Sequence, residues 1–171
     1  MDRDEARRLL SIPGGMFEVV TEDVLGRPTE VFKNRERSMR EKVHNASVHG
    51  DKTFLVHGDS RVTYADFVEL AWGSGRALLE QHGLQKGDRV GILAYNRPEW
   101  LITLFGATSA GAIAVGLNGW WSSEEIAYGL EDSGCRFLLV DEVLYPRVAH
   151  LQPASFLQMQ ITNKRNRHDQ G

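Results

Sequence analysis

Chemistry in this chain would come from glycines dense enough to surround an anion, from six histidines and one cysteine, or from polar residues at strand ends. A phosphate loop needs clustered glycines at a strand-to-helix junction, so that backbone N–H groups converge on the anion. WGSGRA, Trp72 to Ala77, is dense enough, but Gly73 and Gly75 fall inside a helical pattern, where close helix packing explains them better. Gly106, Gly111, Gly116 and Gly119 contain neither GxGxxG nor a GK[ST] ending, and they punctuate a helix end and a strand end. His44, His49, His57, His82, His150 and His168 lack metal-ligand spacing. His82 precedes a helix-ending glycine, where partial positive charge suits the helix dipole. Cys135 has no CxxC partner and reads as a small buried hydrophobe, and no serine sits in GxSxG. No catalytic, cofactor-binding or metal-binding position is assigned.

Three further stretches carry polar or aromatic groups at element ends. KGDR, Lys86 to Arg89, is ordinary turn chemistry and reads as a solvated connection. YNRPEW places Asn96 at the carboxyl end of a strand, the edge where open α/β sheets bind ligands, although a helix-capping role with Glu99 already accounts for it. GLNGWW sets Trp120 and Trp121 after Asn118-Gly119, a strand's exit turn, where the paired rings could line an apolar pocket, cover a protein interface or simply pack.

The elements that must position these residues follow a repeated pattern. Thr63 with Asp66, Asn96 with Glu99 and Ser122 with Glu125 each open a helix with a capping box, and Gly83, Gly111 and Gly134 close them. Between the helices lie VGILAY, AIAVGL and RFLLV, apolar runs too short for helices. Continuous apolar strands alternating with amphipathic helices predict an α/β fold: a partial doubly wound parallel sheet with flanking helices. TFLVHGDSRVTY adds a short β-hairpin turning at His57-Gly58-Asp59-Ser60. Before it, Phe17, Val20 and Val24 recur at helical spacing, and RERSMREKV is a charged helix former. After about Asp141 the pattern lapses, and LQPASFLQMQITNKRNRHDQG has no capped element.

Composition narrows the classes. Hydrophobic content of 42% and charged content of 25% over 171 residues suit one globular domain. Lys+Arg of 20 against Asp+Glu of 23 leaves a net charge of −3, which gives nucleic acid no electrostatic footprint. An unpaired cysteine, a start too short in apolar residues for a signal peptide and no membrane-length apolar run predict a soluble cytoplasmic protein; peripheral lipid contact stays open.

VTYADF, then GLQKGDRVGILAYNRPEWLITLFGATSAGAIAVGLN, then SSEEIAYGLEDSGCRFLLV resemble the front part of AMP-forming acyl-CoA synthetases of the adenylate-forming superfamily. The resemblance spans roughly Phe54 to Val148. GLNGWW and FEVVTEDVLGRPTEVFKNR are similar to the fatty-acid type. The resemblance implies a two-step ligase: a carboxylate attacks the α-phosphate of ATP and releases pyrophosphate, and the CoA thiol then displaces AMP. ATP, Mg²⁺ and CoA are its implied cofactors and a carboxylic, typically fatty, acid its substrate. The family's Ser/Thr/Gly-rich loop ending in Pro-Lys, its acidic ribose motif and its C-terminal domain with a catalytic lysine do not occur in these residues.

The resulting expectation is an N-terminal fragment of an acid–CoA ligase, truncated or frameshifted and inactive alone. Residues 1–50 form a helical N-terminal extension, 51–150 an incomplete AMP-binding α/β domain, and 151–171 a disordered tail. Two other classes remain open: a non-catalytic α/β interaction module docking on a partner chain, and a small-ligand binder at the strand ends near Asn96 and Asn118. Three parallel strands of a larger fold would leave apolar surface exposed, so self-association or aggregation is also expected.

Overall fold

The computed structural model describes residues 2–151 and 157–161, and the chain divides into two units, Met1–Arg37 and Ser38–Gly171. In the first, helix α1 (Arg3–Leu10) is capped by Asp2, whose carboxylate accepts from Glu5 N at 2.8 Å. Strands β1 (Val19–Val24) and β2 (Arg27–Phe32) then form an antiparallel hairpin. Of the residues read at helical spacing, Val20 and Val24 thus lie in a strand and Phe17 in the turn before it. The turn residues are Leu25 and Gly26, with φ of 54° and 79°. A primed turn normally announces itself by Asn-Gly or Asp-Gly, and a leucine with positive φ gives no such signal.

Charges tie the hairpin's ends to the segment after it. Lys33 Nζ donates to both carboxylate oxygens of Glu18 at 2.9 Å. Arg35 and Arg37 both converge on Glu22, with shortest separations of 2.8 and 2.7 Å. The hydrogen bonds of Arg37, then of Arg35, hold the Glu22 carboxyl down at about 2.

The second unit opens with α2 (Met39–Ala46) and the hairpin β3 (Thr53–His57) and β4 (Ser60–Thr63), which turns through Gly58 at φ 57°. Five alternating elements follow: α3 (Tyr64–Glu80), β5 (Arg89–Leu93), α4 (Pro98–Ser109), β6 (Ile113–Gly116) and α5 (Ser123–Ser133). Then come β7 (Phe137–Asp141) and β8 (Leu157–Ile161). Two of the three expected capping boxes place helix starts as read: Thr63 Oγ1 accepts from Asp66 N, and Ser122 and Glu125 cap each other reciprocally. Gly134 ends α5 in the left-handed conformation.

The sheet is four-stranded and parallel, in the order β6-β5-β7-β8. Successive residues of β7 face opposite layers, as the strand period requires. Leu138 and Val140 pack with Ile126 and Leu130 of α5, while Phe137 and Leu139 pack with Leu78 of α3 and Ala107 of α4. Covering on both faces is why these strands read as unbroken apolar runs. β8 lies within the stretch read as a tail, because a parallel pairing with β7 leaves no local mark. The remainder of that stretch, 152–156 and 162–171, lies outside the described residues.

The glycine-dense WGSGRA is helix-packing chemistry. A Cβ on Gly75 would stand 2.7 Å from the Gly106 carbonyl oxygen, and one on Gly106 would stand 2.8 Å from that of Ala71. These glycines let α3 and α4 cross with backbones in contact, so neither offers its N–H groups to an anion. Gly73 differs, since nothing lies within 4 Å of its missing Cβ.

Candidate functional site at the carboxyl edge of the sheet

In the order β6-β5-β7-β8 the chain goes from β5 outward to β6, then returns past β5 to β7. The carboxyl ends of β5 and β7 therefore flank the switch point at which open α/β sheets bind ligands. β5 runs out through Tyr95 and Asn96 into Arg97 and α4. Asn96 does not cap that helix. Pro98 occupies its first position and holds the preceding residue extended, so Arg97, with φ −138° and ψ 156°, is the N-cap and makes no side-chain capping bond. Glu99 consequently falls one position short of a capping box, and Asn96 is left exposed.

Arg97 links the two strand ends. Its Nη1 donates to both carboxylate oxygens of Asp141 at 3.0 Å, and Asp141, the last residue of β7, is only 2% exposed. Asp141 Oδ1 also accepts from Val143 N, which shapes the exit from β7. Arg97 Nε lies 3.5 Å from Glu99 Oε2. Burial works against the charge of Arg97, but the hydrogen bonds and field of Asp141, followed by those of Glu99, outweigh it and raise its pKa above the ordinary value. Beside Asn96, a hollow of about 360 Å³ is bounded by Leu55, Val56 and His57 of β3 and by Pro98, Trp100 and Leu101 of α4.

The two tryptophans lie on the connection from β6 to α5 and differ sharply. Asn118 Oδ1 accepts from Trp120 N at 2.9 Å and Asn118 O from Trp121 N at 3.1 Å, which makes the exit turn. Trp121 is half-buried against the α5 side of the core, so close to Gly129 that a Cβ there would meet its ring at 3.0 Å. Trp120 is 82% exposed and meets the Tyr95 ring edge-on, with centroids 6.1 Å apart. Arg147 holds the connection: its Nη1 donates to Gly119 O at 2.7 Å and to Trp121 O at 3.1 Å, and Ser123 Oγ donates to Arg147 O.

The remaining sequence candidates lie elsewhere. KGDR is at the opposite, amino edge, and it is knitted rather than simply solvated. Asp88 Oδ2 accepts from Gln85 N and from Arg136 Nη1, both at 2.7 Å. Cys135 is buried, and burial pushes its thiol up. Among the described residues no group of three His, Cys, Asp or Glu could hold a metal ion, and no helix is long and apolar enough to cross a membrane. Sequence reading missed Arg97, Asp141 and Arg147; the available signal was an acid ending an otherwise apolar strand.

Residues 43–169 match the AMP-binding enzyme family. The chain belongs to that family. Its match runs beyond Val148, where the likeness was expected to stop, and takes in β8. Among curated relatives, 4-hydroxybutyrate–CoA ligase 2 of Metallosphaera sedula is 37% identical over 92 residues, 54% of this chain and 17% of its own length. A long-chain-fatty-acid–CoA ligase of Bacillus subtilis is 31% identical over 114 residues, 66% of this chain and 20% of its own. The chain thus spans about a fifth of these relatives. The solved anthranilate CoA ligase AuaEII, in complex with anthranoyl-AMP, superposes with a TM-score of 0.67 at 27% identity over 77% of this chain and 26% of its own. A Mycobacterium tuberculosis fatty acyl CoA synthetase, with a TM-score of 0.64 at 23% identity over 72% of this chain and 26% of its own, shares the fold.

Proposed function

We propose that this chain supplies the first part of the AMP-binding fold of an AMP-forming acid–CoA ligase acting on a fatty acid. The observation that carries this reading is the family match across residues 43–169, which includes the whole four-stranded sheet. The reaction would join a carboxylate to the α-phosphate of ATP with release of pyrophosphate, after which the CoA thiol displaces AMP.

At the carboxyl edge Arg97 is committed to Asp141 and Glu99, and among the described residues no group of three His, Cys, Asp or Glu could hold a metal ion. In this reading the triphosphate and Mg²⁺ are held by other segments. The part described here contributes rigidity, since the Arg97–Asp141 pair fixes the ends of β5 and β7 against each other. Arg147 likewise fixes the connection bearing Trp120 and Trp121.

Two measurements test the reading. The 171-residue chain with ATP, Mg²⁺, CoA and fatty acids is expected to release neither pyrophosphate nor acyl-CoA. A chimera in which residues 43–148 replace the matching segment of a related long-chain ligase is expected to form acyl-CoA. Turnover by the chain alone would refute its insufficiency, and a folded but inactive chimera would refute the ligase reading.

A further inference from the structure

The first unit holds a hollow of about 610 Å³ between α1 and the β1–β2 hairpin, within the range of small-ligand sites. Its helical wall consists of Arg3, Ala6, Arg7 and Leu10, the i, i+3, i+4 and i+7 positions of one stripe. Its hairpin wall is apolar apart from Glu30. Val19 and Phe32 are cross-strand partners and so share a face, and Phe17 meets Phe32 edge-on with centroids 6.1 Å apart. Leu10 is 57% exposed and Phe32 52%, an uncovered apolar surface of the kind that marks binding.

Charge identifies the occupant. Arg3 and Arg7 have no carboxylate partner among the described residues. Glu30 lines the same hollow, so its three charged residues sum to a single positive charge. One anionic head joined to an apolar arm satisfies both walls. Residues 1–37 carry eight acidic against seven basic side chains, so the unit offers an anionic bilayer no net positive charge, which favours a free molecule over a membrane surface.

We infer that the hollow between α1 and the hairpin binds a free, monomeric medium- or long-chain carboxylate, its head on Arg3 and Arg7 and its chain along Leu10, Phe17, Val19 and Phe32. None of its lining residues belongs to the sheet edge, and the binding requires neither ATP nor CoA, so its test is independent of the ligase reading.

The test titrates the ¹⁵N-labelled full chain with decanoate below its micelle concentration, without nucleotide. Saturable amide shifts are expected at Arg3, Arg7, Leu10, Phe17 and Phe32. Both arginines are exposed, so an Arg3→Gln/Arg7→Gln variant keeps its hairpin spectrum, and it is expected to bind decanoate roughly tenfold more weakly. Leu10→Gln, also at an exposed position, is expected to weaken binding several-fold through the chain. 1-Decanol is expected to bind wild type and the arginine variant equally. The inference is overturned if unit-one shifts are absent or do not saturate, if the arginine variant binds decanoate as tightly as wild type, or if only phospholipid vesicles shift these amides.

Discussion

Two glycines a residue apart in WGSGRA should respond to alanine with opposite signs. At Gly73 an added methyl meets nothing within 4 Å, so only helix propensity acts, and Gly73→Ala should stabilise by about 0.5–1 kcal/mol. Gly75→Ala gains the same propensity but drives its Cβ to 2.7 Å from the Gly106 carbonyl oxygen. That oxygen belongs to a helix backbone, so no rotamer change relieves the clash and α3 and α4 must move apart along their shared contact. Overpacking of this kind costs about 2–3 kcal/mol. After the propensity gain, Gly75→Ala should destabilise by roughly 1–2 kcal/mol. All four tryptophans, Trp72, Trp100, Trp120 and Trp121, lie in the second unit, so urea unfolding followed by tryptophan fluorescence reports the unit that holds both glycines. The packing account is refuted if Gly75→Ala unfolds at or above the wild-type urea midpoint, or if Gly73→Ala is the more damaging change.

Three further outcomes follow from named contacts. Trp121→Ala should cost about 2 kcal/mol because the ring packs over Gly129, whereas Trp120→Ala should stay within about 0.5 kcal/mol; equal urea midpoints would contradict the division. Arg97→Met leaves the Asp141 carboxylate buried without its cation and should destabilise by about 2–4 kcal/mol, with Asp141→Asn on that background recovering part of the loss; a neutral single variant would show that the pair does not hold the strand ends. Glu22 sits at about 2 in the folded chain against an ordinary 4.5, a depressed acid. Its contribution is therefore complete above pH 4.5 and is lost as pH falls toward 2, which a carbon-detected titration of its carboxyl would follow; a midpoint near 4.5 would mean that Arg35 and Arg37 do not engage it.

The sequence was legible where structure is local. The capping boxes at Thr63 and Ser122, the left-handed Gly134 and the hairpin turn at Gly58 each depend on residues within a few positions, and each sits where the pattern puts it. The strands from Val90, Ala112 and Arg136 were equally readable, because burial on both faces makes a run continuously apolar. Asn96 failed although its local pattern was correct, since Pro98 fixed the helix start one residue later. Leu25 failed for the reverse reason: the turn exists without the residue type that normally permits it. β8 was invisible because its evidence lies in β7.

The candidate site was the least legible part for the same physical reason. Arg97 and Asp141 are 44 positions apart, and Arg147 reaches back 28 positions to Gly119. Each looks like an ordinary surface residue until a strand end brings its partner within hydrogen-bond range. A parallel sheet gathers the ends of distant segments at one edge, so the residues that meet there share no periodicity. The GLNGWW pair shows the consequence: its spacing could not separate the rings, and only the turn made by Asn118 and the hold of Arg147 send Trp121 onto the core and leave Trp120 in solvent. Sequence therefore located the edge through its strands, while the chemistry of the edge depended on pairings that only the fold creates.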